Sequence, residues 1–137
     1  MKKDLLPKNR SVSDLKAHLI LATKNRRKVF NKEMLHCLHL ILEESLIKWD
    51  CKLVDFSGEE NHIHCLFQYY PDLELSKLIN TLKTISSRRL RQEFSEHLDK
   101  IYSTNVVWSG SYLIASCGGM TISTLKKYVD SQNSPEE

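Results

Sequence analysis

Apolar side chains fall into two kinds of pattern along the chain, short runs and helical stripes. Residues 1–14 are polar around Pro7 and read as a partly ordered arm. The run 18–23, bounded by charge, predicts a buried strand that exits through residues 24–28. Asn31 is a candidate N-cap. After it Met34, Leu38, Ile41, Leu42, Leu46 and Trp49 recur at helical spacing, which predicts an amphipathic helix to about Asp50. Val54 and Phe56 alternate in 51–56, the turn residues Ser57-Gly58-Glu59-Glu60 follow, and 61–70 alternates again before Pro71. That order predicts a β-hairpin over 51–70. Leu75, Leu78, Ile79, Leu82, Ile85, Leu90 and Phe94 mark a long helix over about 74–98. Residues 106–117, rich in Val, Trp, Tyr and Ile, predict a strand with a kink at Gly110. Gly118-Gly119 ends it. Thr121 or Ser123 caps a last helix to about Gln132, and 133–137 is a polar tail.

The order β-α-β-β-α-β-α matches the split βαβ plan, an α+β, ferredoxin-like sandwich. One antiparallel sheet would carry helices on one face, with the C-terminal helix added. At 137 residues the chain fits a single domain spanning 1–137. Its 41% apolar and 27% charged content fits a globular protein and disfavours disorder or a coiled coil alone. No apolar span approaches the ~20 residues of a membrane helix. No secretory h-region follows the basic start, so the cytoplasm is the expected compartment and no membrane partner is expected. Cysteines at 37, 51, 65 and 117 form no CxxC pair and read as reduced thiols, mostly buried.

The net charge of +3 hides an asymmetry: residues 1–32 carry +8, 33–75 carry −7 and 76–137 carry +2. Lys24, Arg26, Arg27, Lys28 and Lys32 crowd together, which fits a polyanion partner or, equally, a solvated basic face. Arg88, Arg89 and Arg91 on the long helix could touch phosphates or line a solvated face. No P-loop, GxGxxG or nucleophile elbow is present, so no nucleotide cofactor is expected.

His62-Ile63-His64 is the first chemical candidate. On a strand the two imidazoles share a face with Cα atoms about 6.5–7 Å apart, close enough to share a metal ion. Ile63, Cys65 and Phe67 would then face the core. Two surface histidines would give the same motif, so it carries little alone. Tyr128 and Gln132, four apart on the last helix, share a side and flank the stripe of Ile122, Leu125 and Val129. A Tyr closing the core rim gives that pattern too. Together, a metal-binding pair, a reachable phenol, a third oxygen donor and a cationic region suit phosphodiester chemistry. Imidazole with amide or carboxylate oxygen points to Mg²⁺ or Mn²⁺, with zinc left open.

Four motifs, in one order over residues 18–132, now support a resemblance. They are Thr23-Lys24-Asn25-Arg26-Arg27, Asn61-His62-Ile63-His64-Cys65-Leu66, Trp108-Ser109-Gly110-Ser111-Tyr112 and Tyr128-Val129-Asp130-Ser131-Gln132. The chain resembles the single-tyrosine transposases of the HUH class, insertion-sequence 200/605 type. Two departures are Asn25, where that family usually has Tyr, and Gly110. Both put detail of DNA binding in question. The resemblance implies His62, His64 and Gln132 as metal ligands and Tyr128 as a nucleophile forming a 5′-phosphotyrosine link to single-stranded DNA. Lys24, Arg26, Arg27, Arg88 and Arg89 are the candidate DNA contacts. The resemblance also implies a homodimer that recognises hairpins at element ends, with Tyr128 serving its own or its partner's histidine pair. Alternatives are a domesticated endonuclease of repeat hairpins and a hairpin-binding protein without catalysis.

Overall fold

The computed structural model describes residues 6–8 and 11–116. Its elements are β1 (Leu6–Lys8), β2 (Ser11–Ser13), β3 (Leu15–Ala22), a 3₁₀ turn (Lys24–Arg26), α1 (Lys32–Lys48), β4 (Lys52–Gly58), β5 (His62–Tyr69), α2 (Leu75–Glu93), α3 (Ser95–Asp99) and β6 (Leu113–Ser116). The main sheet runs β4-β5-β3-β6, every neighbour antiparallel. Each helical crossover therefore skips a strand, which is the ferredoxin-like split βαβ plan. The expected C-terminal helix, with Gly118-Gly119, Cys117, Tyr128 and Gln132, lies outside the described residues.

Alternation along the two central strands sorts the faces. Ala17, Leu19 and Leu21 of β3 and Ile63, Cys65 and Phe67 of β5 are buried in one cluster with Met34, Leu38, Leu42 and Leu46 of α1 and Leu78, Ile79, Leu82 and Leu90 of α2. Each fully buried Leu or Phe in that cluster stabilises the fold by roughly 1.5–3 kcal/mol. The opposite face of the same strands carries His18, Ile20, His62, His64 and Gln68. Asn31 caps α1 as predicted, its side-chain oxygen accepting from Met34 N at 2.8 Å.

Four expectations change. The arm is partly a small hairpin in which Pro7 pairs with Val12. The predicted turn at 57–60 starts later, because Ser57 and Gly58 pair with His64 and Ile63 inside β4. A Cβ on Gly58 would lie 2.6 Å from Leu35 Cδ2, so glycine permits that close approach to α1. The single helix over 74–98 is broken at Phe94 (φ −127°, ψ 38°). Turning there packs Phe94 against the core and buries Leu98 and Tyr102, an arrangement that a straight continuation of the helix would forgo. The long strand over 106–117 shrinks to β6. Its first part leaves the ladder because Val107 and Trp108 are buried in the core, with Trp108 meeting Thr23 in an isolated bridge. Trp108 Nε1 also donates to buried Ser86 Oγ at 2.9 Å.

Candidate active site

β5 is an interior strand, paired with β4 on one side and β3 on the other, so its backbone is held from both edges. That fixes the two predicted histidines on one face. His62 is half-buried and His64 fully buried, with ring centroids 5.0 Å apart and rings nearly perpendicular. His62 Nδ1 lies 2.8 Å from Asn61 Oδ1. A carboxamide oxygen accepts, so this nitrogen is the donor, and in the neutral ring the lone pair is then on Nε2. Behind His64 stands His18 of β3, fully buried, with its Nε2 at 3.1 Å from His64 Nδ1 and centroids 5.1 Å apart. Sequence reasoning treated His18 only as the start of an apolar run. Its alternation with Ala17 and Leu19 was a usable signal, since it places His18 off the helix-covered face.

Two imidazoles on one sheet face offer nitrogen donors to a single divalent ion, and Mn²⁺ accepts imidazole better than Mg²⁺ does. Among the described residues, no group of three His, Cys, Asp or Glu side chains could hold a metal ion. Tyr128 and Gln132, the remaining predicted members, lie outside the described residues.

The basic exit of β3 is fastened to the strand that carries the histidine pair. Thr23 is fully buried, its N–H donates to Asn61 O at 2.9 Å, and its Oγ1 lies 2.7 Å from Arg27 O. The turn between them holds Asn25 and Arg26 in the left-handed region, at φ 58° and 52°. Residues other than glycine take that conformation at a cost, and it is common at ligand-binding turns. Tyr102 Oη braces the turn by donating to Lys24 O at 2.7 Å. Arg27 works in the same brace: Nη1 donates to Ile101 O at 3.1 Å and the guanidinium lies 5.9 Å from the Tyr102 ring centroid. Burial pushes the Tyr102 phenol up, against smaller opposing contributions from Thr23, Arg27 and Arg91. Lys24 is exposed and Arg26 half-buried.

Arg88 and Arg89 part company. Successive helix residues diverge by about 100°, so neighbours serve different surfaces. Arg89 pairs with Glu44 of α1 at 3.2 Å. Arg88 lines a cleft of about 720 Å³ between α2 and residues 105–108, with Lys83, Arg91 and Trp108. Arg91 is a clamp for that wall, donating to Asp99 at 2.8 Å, to Val106 O at 3.1 Å and to Thr104 O. Lys83, which sequence reasoning missed, donates to Ser109 O at 2.8 Å and sits 5.9 Å from the Tyr112 ring centroid. Its signal was the four-residue spacing of Lys83, Ser87 and Arg91, which puts them on one side of the helix.

Residues 11–132 match the family model described as "Transposase IS200 like". The chain is 26% identical over 125 residues to the ISDra2 transposase TnpA of Deinococcus radiodurans, covering 91% of this chain and 89% of that one. It is 27% identical over 118 residues to the transposase for insertion sequence element IS200 of Salmonella typhimurium, covering 85% of this chain and 76% of that one. A crystal structure of a D. radiodurans protein assigned as a transposase superposes with TM-score 0.77 at 26% identity, over 93% of this chain and 98% of that one. A REP-associated tyrosine transposase bound to a REP hairpin shares the fold, with TM-score 0.58 at 11% identity, over 95% of this chain and 69% of that one.

Proposed function

The chain belongs to the IS200-like transposase family, and from that membership we propose that it cleaves and rejoins single-stranded DNA at the ends of an insertion element, with Tyr128 as nucleophile. The observation that carries the reading is the His62–His64 pair, two imidazoles on one sheet face with ring centroids 5.0 Å apart. His62 and His64, with Gln132 as the third donor, would hold Mg²⁺ or Mn²⁺. The ion supplies charge neutralisation at the scissile phosphate.

The chain's own residues do the rest. The Tyr128 Oη attacks phosphorus, an O–P bond forms, and the bond from phosphorus to the 3′-oxygen breaks. The phenolic proton passes to solvent and the 3′-oxygen leaves as a hydroxyl, giving a 5′-phosphotyrosine link. Attack by another 3′-hydroxyl reverses the step, so the bond energy is conserved and no nucleotide cofactor is consumed. Lys24 and Arg26 on the strained turn, and Arg88 with Lys83 in the α2 cleft, offer cations along a phosphate backbone. The REP-associated relative was solved with a hairpin, which supports a DNA hairpin as the partner here. The working unit in this reading is a homodimer.

The test uses labelled single-stranded hairpin DNA carrying candidate end sequences, with Mn²⁺, and resolves the products on a denaturing gel. A protein–DNA adduct is expected for the native chain. Tyr128→Phe should bind DNA nearly as well and give no adduct. His64→Ala should lose metal-dependent cleavage, with partial recovery in excess Mn²⁺. Binding without any adduct from the native chain would leave only a hairpin-binding protein.

A further inference from the structure

We infer that His18 is a positioning residue that sets the tautomer of His64, so that His64 presents the Nε2 lone pair to the metal. This rests on the reading of His62 and His64 as a metal-binding pair. A neutral imidazole carries one N–H and one lone pair. A ring that ligates through Nε2 must keep its proton on Nδ1, and a hydrogen bond from Nδ1 fixes that choice. His64 Nδ1 lies 3.1 Å from His18 Nε2. Two nitrogens at that distance share one proton. If His18 donated it, the His64 proton would sit on Nε2 and block the lone pair. The ligating arrangement therefore has His64 Nδ1–H donating to His18 Nε2, and His18 carrying its own proton on Nδ1.

The fold holds this pair tightly. Ile20 is the cross-strand partner of His64, and Leu66 is the partner of His18. The two rings sit on the same face, offset by two residues in register on the central strands. Both are fully buried. A carboxylate could also accept from His64 Nδ1, but a buried charge without a cation is expensive. A neutral imidazole accepts without bringing charge into the interior. His62, half-buried nearer the strand end, has an amide for the same task, with Asn61 Oδ1 at 2.8 Å from its Nδ1. The pair is thus oriented by two different partners, one interior imidazole and one carboxamide. The His18 partner comes from a strand far away in sequence.

The experiment reads the tautomer directly, in protein without metal. Protein labelled with ¹⁵N-histidine is examined by long-range ¹H–¹⁵N correlation, which distinguishes a protonated ring nitrogen from one bearing a lone pair. His64 should show Nδ1–H in the native chain. His18→Phe keeps a ring of similar size and removes the acceptor. His64 should then shift toward Nε2–H, and Mn²⁺ affinity by calorimetry should fall about 10–100-fold. His18→Gln returns an acceptor near the position of Nε2, and should restore both the Nδ1–H tautomer and most of the affinity. An Nε2–H tautomer of His64 in the native chain overturns the inference, even if His18→Phe fails to fold. So does an unchanged tautomer and affinity in folded His18→Phe. Failure of the native chain to bind Mn²⁺ would instead remove the metal-pair reading, since the tautomer is read without metal.

Discussion

At the scale of single residues, environment decides chemistry that residue type leaves open. The cysteines show this. Burial, with a smaller contribution from Cys51, pushes the Cys65 thiol from the ordinary 9.0 to about 12. Burial, helped by Asp50, pushes Cys51 from 9.0 to about 12 as well. Cys37, half-buried, is also raised, by desolvation first and then by Glu93. The thiolate is the reactive form. In the native protein at pH 8, Cys51 and Cys65 should therefore resist alkylation, and denaturant should expose them; peptide mass mapping reads each site. The same shifts have a linkage sign. Between about 9 and 12 the unfolded chain has lost these protons and the folded chain has kept them, so folding stability falls as pH rises through that window. Replacing Cys65 by Val should flatten that alkaline decline, followed as melting temperature against pH. Fast labelling of Cys65 in native protein would contradict its burial. Strand alternation made this burial legible in the sequence, since placing His62 and His64 on one face puts Ile63, Cys65 and Phe67 on the other. It could not reveal that His18 stands behind His64, because that pairing depends on the register between strands separated by more than forty residues.

At the scale of elements, the ends of α1 carry much of the information. Asn31 was readable as its N-cap because the cap acts locally, through the bond to Met34 N. The other end is a Schellman closure: Cys51 N–H donates to Leu46 O at 2.9 Å and Asp50 N–H to Ile47 O at 3.0 Å. Asp50 fills its left-handed position at φ 60°, where glycine is usual. Two substitutions should move stability in opposite directions. Asn31→Ala should cost about 1 kcal/mol by orphaning an N–H. Asp50→Gly should gain about 0.5 kcal/mol, the relief of left-handed strain outweighing the greater freedom of unfolded glycine. Urea unfolding followed by far-UV circular dichroism gives both values, and a destabilised Asp50→Gly protein would show that the Asp50 side chain has a role beyond the turn. Elements whose limits depend on distant packing were not legible. Periodicity continues through Phe94, yet the helix breaks there to bury Leu98 and Tyr102. The β-rich composition of 106–117 is real, but Val107 and Trp108 go into the core and not into a ladder.

At the scale of the whole molecule, charge and sheet edges bear on the proposed contacts with DNA and with a second copy of the chain. In the proposed DNA complex the +8 of residues 1–32 would contribute as a field, while individual cations would act on individual phosphates. Arg26 and Arg27 separate these roles, because Arg27 also braces the turn through Ile101 O. Arg26→Ala should lower the slope of log K against log salt by about 0.7 for each single-strand phosphate that the side chain neutralises. Arg27→Ala should do so as well, with an added loss of thermal stability. An unchanged slope for both would place the DNA elsewhere. The proposed dimer can be argued from the two sheet edges. β4 is irregular between Leu53 and Asp55, which hinders pairing along it. β6, at the other edge, is short and among the described residues ladders only with β3, with Leu113 exposed on it and Tyr112 exposed just before it. Pairing of two β6 edges about a two-fold axis would join the sheets and close the assembly as a dimer. In a dimer, Tyr128 could act on the histidine pair of its own chain or of the partner. Mixing Tyr128→Phe protein with His64→Ala protein, each inactive alone, decides between them. If the tyrosine acts across the interface, each heterodimer holds one site with both defects and one intact site. Adduct formation should then return, at about half the native activity per heterodimer by site counting. If the tyrosine acts within its own chain, every site keeps one defect and the mixture stays inactive. A monomeric mass by light scattering at the assay concentration would defeat the dimer before any mixing.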